Sequence, residues 1–165
     1  MRLFLTVFAL LLALSGAADR RSPVHRAEPE CGILYDSEAV VDEAEAELLA
    51  IAIYTEAGAD TISDDTRRMV GDVILNRVAD SRYPDSIEAV LTQRAQYGRF
   101  YWTGVVWPSR ATHQSEQHAV DRAREIAREL LGGDHSQLYG EGYIYQAEFR
   151  QGSGVIERDG IYFGR

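Results

Sequence analysis

Leu48-Leu49-Ala50-Ile51-Ala52-Ile53-Tyr54-Thr55-Glu56-Ala57-Gly58 is an apolar run that ends on a carboxylate and a glycine. Extended back to Asp42, it reads as one helix, Asp42 to Ala57. Glu43, Glu45 and Glu47 sit where the positive end of the helix dipole favours negative charge, and Gly58 stops it. Leu49, Ile53 and Glu56 fall at i, i+4 and i+7 and therefore share one face. A carboxylate near the end of an otherwise apolar face is disfavoured unless its charge or its proton is used. Partial burial raises the pKa of such a group and makes it a competent proton donor near neutral pH. The alternative is an edge position with a surface ion pair.

Working outward, the spacing predicts a second helix over Asp64 to Val78, capped by Ser63, with Met69, Val70, Val73, Ile74 and Val78 inward. A short third helix, Ser86 to Thr92, follows Pro84-Asp85. A fourth, Ser115 to Leu131, carries Ala119, Ala123, Ile126, Ala127 and Leu130 at helical spacing and ends at Gly132-Gly133. Tyr143 to Phe149 and Val155 to Phe163 read as strands. Gly152-Ser153-Gly154 is expected to make the reversal between them, with Asp159-Gly160 a further turn signal inside the second run. Helices first and strands last define an α+β class, mainly helical with a C-terminal β-hairpin. Between the third and fourth helices, Gln96 to Arg110 is expected to be a loop. Its aromatic residues, Tyr97, Phe100, Tyr101, Trp102 and Trp107, suit either core packing or a carbohydrate cleft, where sugar C–H faces stack on flat rings. Gln93, Gln96, Gln146 and Gln151 supply amides for sugar hydroxyls.

Composition narrows the classes of function. The chain has 165 residues, 17 basic against 26 acidic, a formal net charge of −9, and is 45% hydrophobic. That is one domain's worth of chain with a real core. An acidic surface lacks the field that attracts phosphate backbones or anionic lipid, which argues against nucleic-acid and peripheral membrane binding. All basic residues are arginine, so Schiff-base and P-loop lysine chemistry is excluded. Cys31 cannot close an intramolecular disulfide. The spacing of His113, Glu116 and His118, H-x-x-E-x-H, is not the H-E-x-x-H that puts two histidine ligands on one helical face, and no G-x-S-x-G, C-x-x-C or Gly-rich phosphate loop is present. No cofactor or metal is called for. At the N-terminus, Met1-Arg2, the apolar run Leu3 to Leu14 and Ser15-Gly16-Ala17-Ala18 form a secretory signal pattern, too short for the ~20 residues of a membrane span. The expected organisation is a signal peptide over 1–18 cleaved near Ala17-Ala18, a flexible linker over 19–42 and one domain over 43–165, with no stable membrane insertion after cleavage.

Several strings resemble a known family when taken in order. Ile53-Tyr54-Thr55-Glu56-Ala57-Gly58 is followed by Val73-Ile74-Leu75-Asn76-Arg77-Val78, Tyr83-Pro84-Asp85-Ser86-Ile87 and Gln96-Tyr97. Then come Tyr145-Gln146-Ala147-Glu148-Phe149, Gln151-Gly152-Ser153-Gly154 and Ile161-Tyr162-Phe163. Their order and spacing resemble the bacterial cell wall hydrolase family of the spore-cortex-lytic type over about Leu48 to Arg165. The resemblance implies a small lysozyme/transglycosylase-like domain that cleaves peptidoglycan glycan strands, secreted or in the cell envelope and expected to be monomeric. It also implies that the Glu of the Y-x-E-A string, Glu56, is the catalytic acid/base. Asn76, Gln96, Tyr97, Gln146 and Gln151 are the candidates for positioning sugars, with Tyr54 and Arg77 packing around the acid.

The expected reaction is cleavage of the β-1,4 bond between N-acetylmuramic acid and N-acetylglucosamine. No second carboxylate recommends itself, since Asp60, Asp64 and Asp65 lie in a loop or helix start and Glu141, Glu148 and Glu157 are scattered over the strand region. A single acid favours lytic transglycosylation over a hydrolytic muramidase or glucosaminidase. A secreted peptidoglycan-binding module without turnover is the alternative from another class.

Overall fold

Helix α1, Glu43–Ala57, is apolar on nearly every side, and a helix of that composition is stable only when surrounded. It is capped by Asp42, whose side chain accepts from the backbone N–H groups of Ala44 and Glu45. The computed structural model describes residues 40–165. The segment 1–18, Cys31 and most of the stretch 19–42 lie outside the described residues. Around α1 pack α2, Asp64–Ala79, α3, Ile87–Leu91, and α5, Gln117–Leu131, with Leu49, Ile53, Tyr54, Ile74, Leu91, Ile126 and Leu130 fully buried. Gly71 lets α2 and α5 approach closely: a Cβ there would lie 2.3 Å from Leu130 Cδ1. Ion pairs Glu47–Arg124 and Glu43–Arg128 tie α1 to α5 along the outer edge.

The aromatic segment is not all loop. Phe100–Thr103 forms a single-turn helix, α4, and 3-10 turns at Ser109–Thr112 and Gln114–Glu116 lead into α5, which starts two residues later than its sequence signal. The strands are β1, Tyr145–Ala147, β2, Ile156–Arg158, and β3, Ile161–Gly164, in an antiparallel sheet of order β1-β3-β2. The tight reversal therefore falls at Asp159-Gly160, where both residues have positive φ, 50° and 82°, as a two-residue hairpin requires. Gly152-Ser153-Gly154 instead carries the chain across the open end of β3, with Ser153 exchanging backbone hydrogen bonds with Arg165. Gly152 is obligatory there, because a Cβ would meet the Arg165 carbonyl at 2.4 Å. Phe163, in the central strand, seals a second apolar cluster with Met69, Val70 and Val73 of α2.

One row of polar residues on α2 threads the chain toward β1. Asp72 accepts from the Ser136 backbone N–H at 2.6 Å and contacts His135 Nδ1 at 2.8 Å. Asn76 Nδ2 donates to the carbonyls of Leu138 and Tyr143, and its Oδ1 accepts from the Gly140 N–H. Arg77 Nε donates to the Ile144 carbonyl at 2.7 Å. Buried side chains thus satisfy the backbone of a loop that no helix or sheet serves, and β1 begins one residue further on.

Candidate active site

Where α1 emerges from the core, the burial that holds Leu49 to Tyr54 is released, and Glu56 keeps solvent access. Protein nevertheless crowds it from the other sides. Desolvation is the strongest influence on its carboxyl and raises its pKa above the ordinary value, opposed by the Gln146 amide and then by the Arg77 charge. Among the described residues, the salt bridges do not include Glu56.

Three of the side chains expected at the site lie around Glu56. Arg77 is buried, and its guanidinium lies between two rings, 5.5 Å from the Tyr83 centroid and 5.0 Å from that of Tyr97. With Nε held by Ile144, this cation is fixed in place by cation–π contact and one backbone carbonyl. Tyr97 is 4% exposed, and its hydroxyl has no partner among the described residues. Burial pushes that hydroxyl well above the usual phenol range; Arg77 opposes the shift and Glu56 adds to it. The phenol therefore stays protonated and able to donate. Gln146, delivered by β1, directs its amide at Glu56, while its Oε1 is buried without a partner. Unpaired buried polar atoms are costly, and two of the three among the described residues belong to Tyr97 and Gln146, the third being Gln93 Oε1.

Two other expected site residues, Tyr54, read as packing around the acid, and Asn76, read as positioning sugars, are engaged elsewhere. Tyr54 points to the opposite side of α1, wholly buried, edge-on to Trp107 at 5.5 Å and hydrogen-bonded to Glu116 at 2.6 Å. Two residues along a helix rotate a side chain by about 200°, so Tyr54 and Glu56 cannot share a face. Asn76 is buried, with both amide hydrogens and its oxygen engaged by backbone groups of the loop that leads into β1. Gln96 and Gln151 are exposed and do not act on Glu56.

The aromatic segment divides. Tyr97, Phe100 and Trp107 turn inward, the last donating its indole N–H to Glu47, whereas Trp102 is 81% exposed with Tyr101 edge-on beside it at 4.7 Å. Core packing and an exposed aromatic face are thus both present in one segment. Sequence reasoning missed the Glu116–Tyr54–Arg110 cluster and the stacking of Tyr83 on Arg77. The second had a signal: Asp72, Asn76 and Arg77 are polar at i, i+4 and i+5 of a helix otherwise apolar on that side, which marks internal hydrogen bonding.

A family model described as Cell Wall Hydrolase matches residues 63–157, more than half of the chain. The matched span includes Arg77, Tyr97 and Gln146 and begins seven residues after Glu56, so the assignment of the acid rests on its surroundings. No curated protein and no solved structure matches the chain.

Proposed function

The chain belongs to the cell wall hydrolase family, whose substrate is peptidoglycan, and from that premise we propose that it cuts the β-1,4 bond between N-acetylmuramic acid and N-acetylglucosamine as a lytic transglycosylase, with Glu56 as its single acid and base. The observation that carries this reading is the company Glu56 keeps: an amide, a guanidinium and a phenol, with no carboxylate among the described groups that act on it. A retaining hydrolase needs a nucleophilic carboxylate about 5 Å from the acid, and an inverting one a base at roughly 6.5–9.5 Å.

In this reading no second carboxylate takes part, and the substrate supplies the missing groups. Glu56, whose pKa desolvation raises, gives its proton to the glycosidic oxygen as the C1–O bond breaks. The N-acetyl oxygen stabilises the oxocarbenium character at C1. The resulting Glu56 carboxylate takes the proton from the C6 hydroxyl while O6 attacks C1, and a 1,6-anhydromuramic end forms. The Arg77 charge favours that carboxylate between the two transfers. The Tyr97 hydroxyl and Gln146 Oε1, without partners among the described residues, find them on the sugar. Gln96 and Gln151 serve sugars further along the strand.

Digestion of purified wall in oxygen-18 water tests the reading. Products are expected to carry unlabelled 1,6-anhydromuramic ends. Heavy oxygen at the new muramic terminus identifies water as the nucleophile and replaces transglycosylation with hydrolysis, while retention on the wall without clearing in a zymogram indicates a binding module. The wall is reached by export, with residues 1–18 as the signal, 19–42 as a tether and 43–165 as the catalytic domain. N-terminal sequencing of secreted protein is expected to begin at Ala18 or Asp19. Among the described residues, no helix is long and apolar enough to cross a membrane.

A further inference from the structure

Beyond the end of α1, two residues past Glu56, the chain borders a separate depression. Gly58 and Asp60 on one side and Arg110, Ser115 and Glu116 on the other enclose about 200 Å3. Its charges are held in position by one buried phenol. The Tyr54 hydroxyl donates to Glu116 Oε2 at 2.6 Å and accepts from Arg110 Nε at 3.2 Å, and the Arg110 guanidinium lies 5.1 Å from the Tyr54 ring centre. Tyr54 thus fixes an anion and a cation at the same pocket. The other Arg110 nitrogens and Glu116 Oε1 take no hydrogen-bond partner among the described residues, so each charge is committed on one edge and open on the other.

Sugar rings are neutral and have little use for a paired cation and anion. The charged part of peptidoglycan is the peptide stem, which carries carboxylates, amine and amide groups and hangs from the muramic residue itself. The depression is smaller than the roughly 300–1,000 Å3 of a site that engulfs a whole ligand, a size that suits one end of a stem. We infer that this pocket binds the stem peptide, Arg110 taking a stem carboxylate while Glu116, Asp60 and the Ser115 hydroxyl take amine or amide hydrogens. The inference rests on the peptidoglycan reading above and adds to it that the enzyme reads peptide as well as glycan. Charge-assisted hydrogen bonds from an anchored guanidinium are strong enough for such selection.

The test has a binding arm and a cleavage arm, both on the full chain. A soluble muramyl stem peptide titrated into the protein by calorimetry or NMR is expected to bind saturably, and Arg110→Gln to weaken binding at least fivefold with an unchanged circular dichroism spectrum. If Arg110→Gln does not fold, Ser115→Trp at an exposed position fills the pocket and carries the same expectation. In the cleavage arm, kcat/KM on strands bearing stems is compared with that on strands stripped of them. The wild type is expected to prefer the former at least fivefold, and the variant to lower that ratio. No saturable binding, or binding unaffected by either variant, overturns the inference, as does a variant that lowers both rates equally. Stem binding without cleavage of either glycan defeats the proposed function and leaves this site standing; equal cleavage of both glycans without stem binding does the reverse.

Discussion

Asp159, at the tip of the β2–β3 hairpin, is bound to Ser63, the N-cap of α2, across 96 positions of sequence. Its Oδ2 accepts from the Ser63 N–H at 2.8 Å, the Ser63 hydroxyl at 2.6 Å and the Thr66 hydroxyl at 2.7 Å. A carboxylate brought by the sheet thus sits at the positive end of a helix that already caps itself through Ser63.

This clamp makes stability depend on acid pH. The hydrogen bonds from Ser63 hold the Asp159 carboxyl down at about 2, against an unfolded value of about 3.9. A depressed carboxylate pKa stabilises the fold above the unfolded value and stops doing so as pH falls through the folded one. Asp159→Asn is expected to lower Tm at pH 6, and the gap from wild type to close between about pH 4 and pH 2, measured by thermal melts across that range. A gap that stays constant would show that the carboxylate charge contributes nothing.

Glu56→Gln removes the transferable proton while nearly preserving shape. Release of soluble muropeptides is expected to fall by about 10²-fold or more, the usual worth of a positioned acid, with the melting curve unchanged. Near-normal release would move the chemistry away from α1.

Arg77 opposes the upward shift of Glu56, so its removal raises that pKa further. An acid works below its pKa, and Arg77→Met is therefore expected to move the alkaline limb of the kcat/KM profile to higher pH. A limb that stays in place, with only the rate reduced, would assign Arg77 to packing alone.

Asn76→Ala strips partners from two carbonyls and one N–H of the loop that leads into β1. Leaving buried backbone groups unpaired is expected to cost about 2–4 kcal/mol in urea unfolding, with kcat/KM per folded molecule little changed. Full stability combined with a raised KM would return Asn76 to the sugar site.

Local rules explain why the helices were legible in the sequence. Asp42, Ser63 and Ser86 cap the helices that their residue types announce, and an all-round apolar α1 has to lie inside. Glu56 stood out for the same reason, because an ionisable group at the end of an apolar run is anomalous whatever surrounds it. Periodicity states which face of an element is buried, but not against what. Asn76 lining a cleft and Asn76 holding a buried loop have the same helical spacing, and only the carbonyls of Leu138 and Tyr143, 62 and 67 residues away, tell them apart. Likewise Tyr143 to Phe149 announced a strand, and Tyr145–Ala147 within it forms one. Pairing with β3 instead of the nearer β2, and with it the delivery of Gln146 to Glu56, was decided by backbone hydrogen bonds and by an α2 polar row that acts through space.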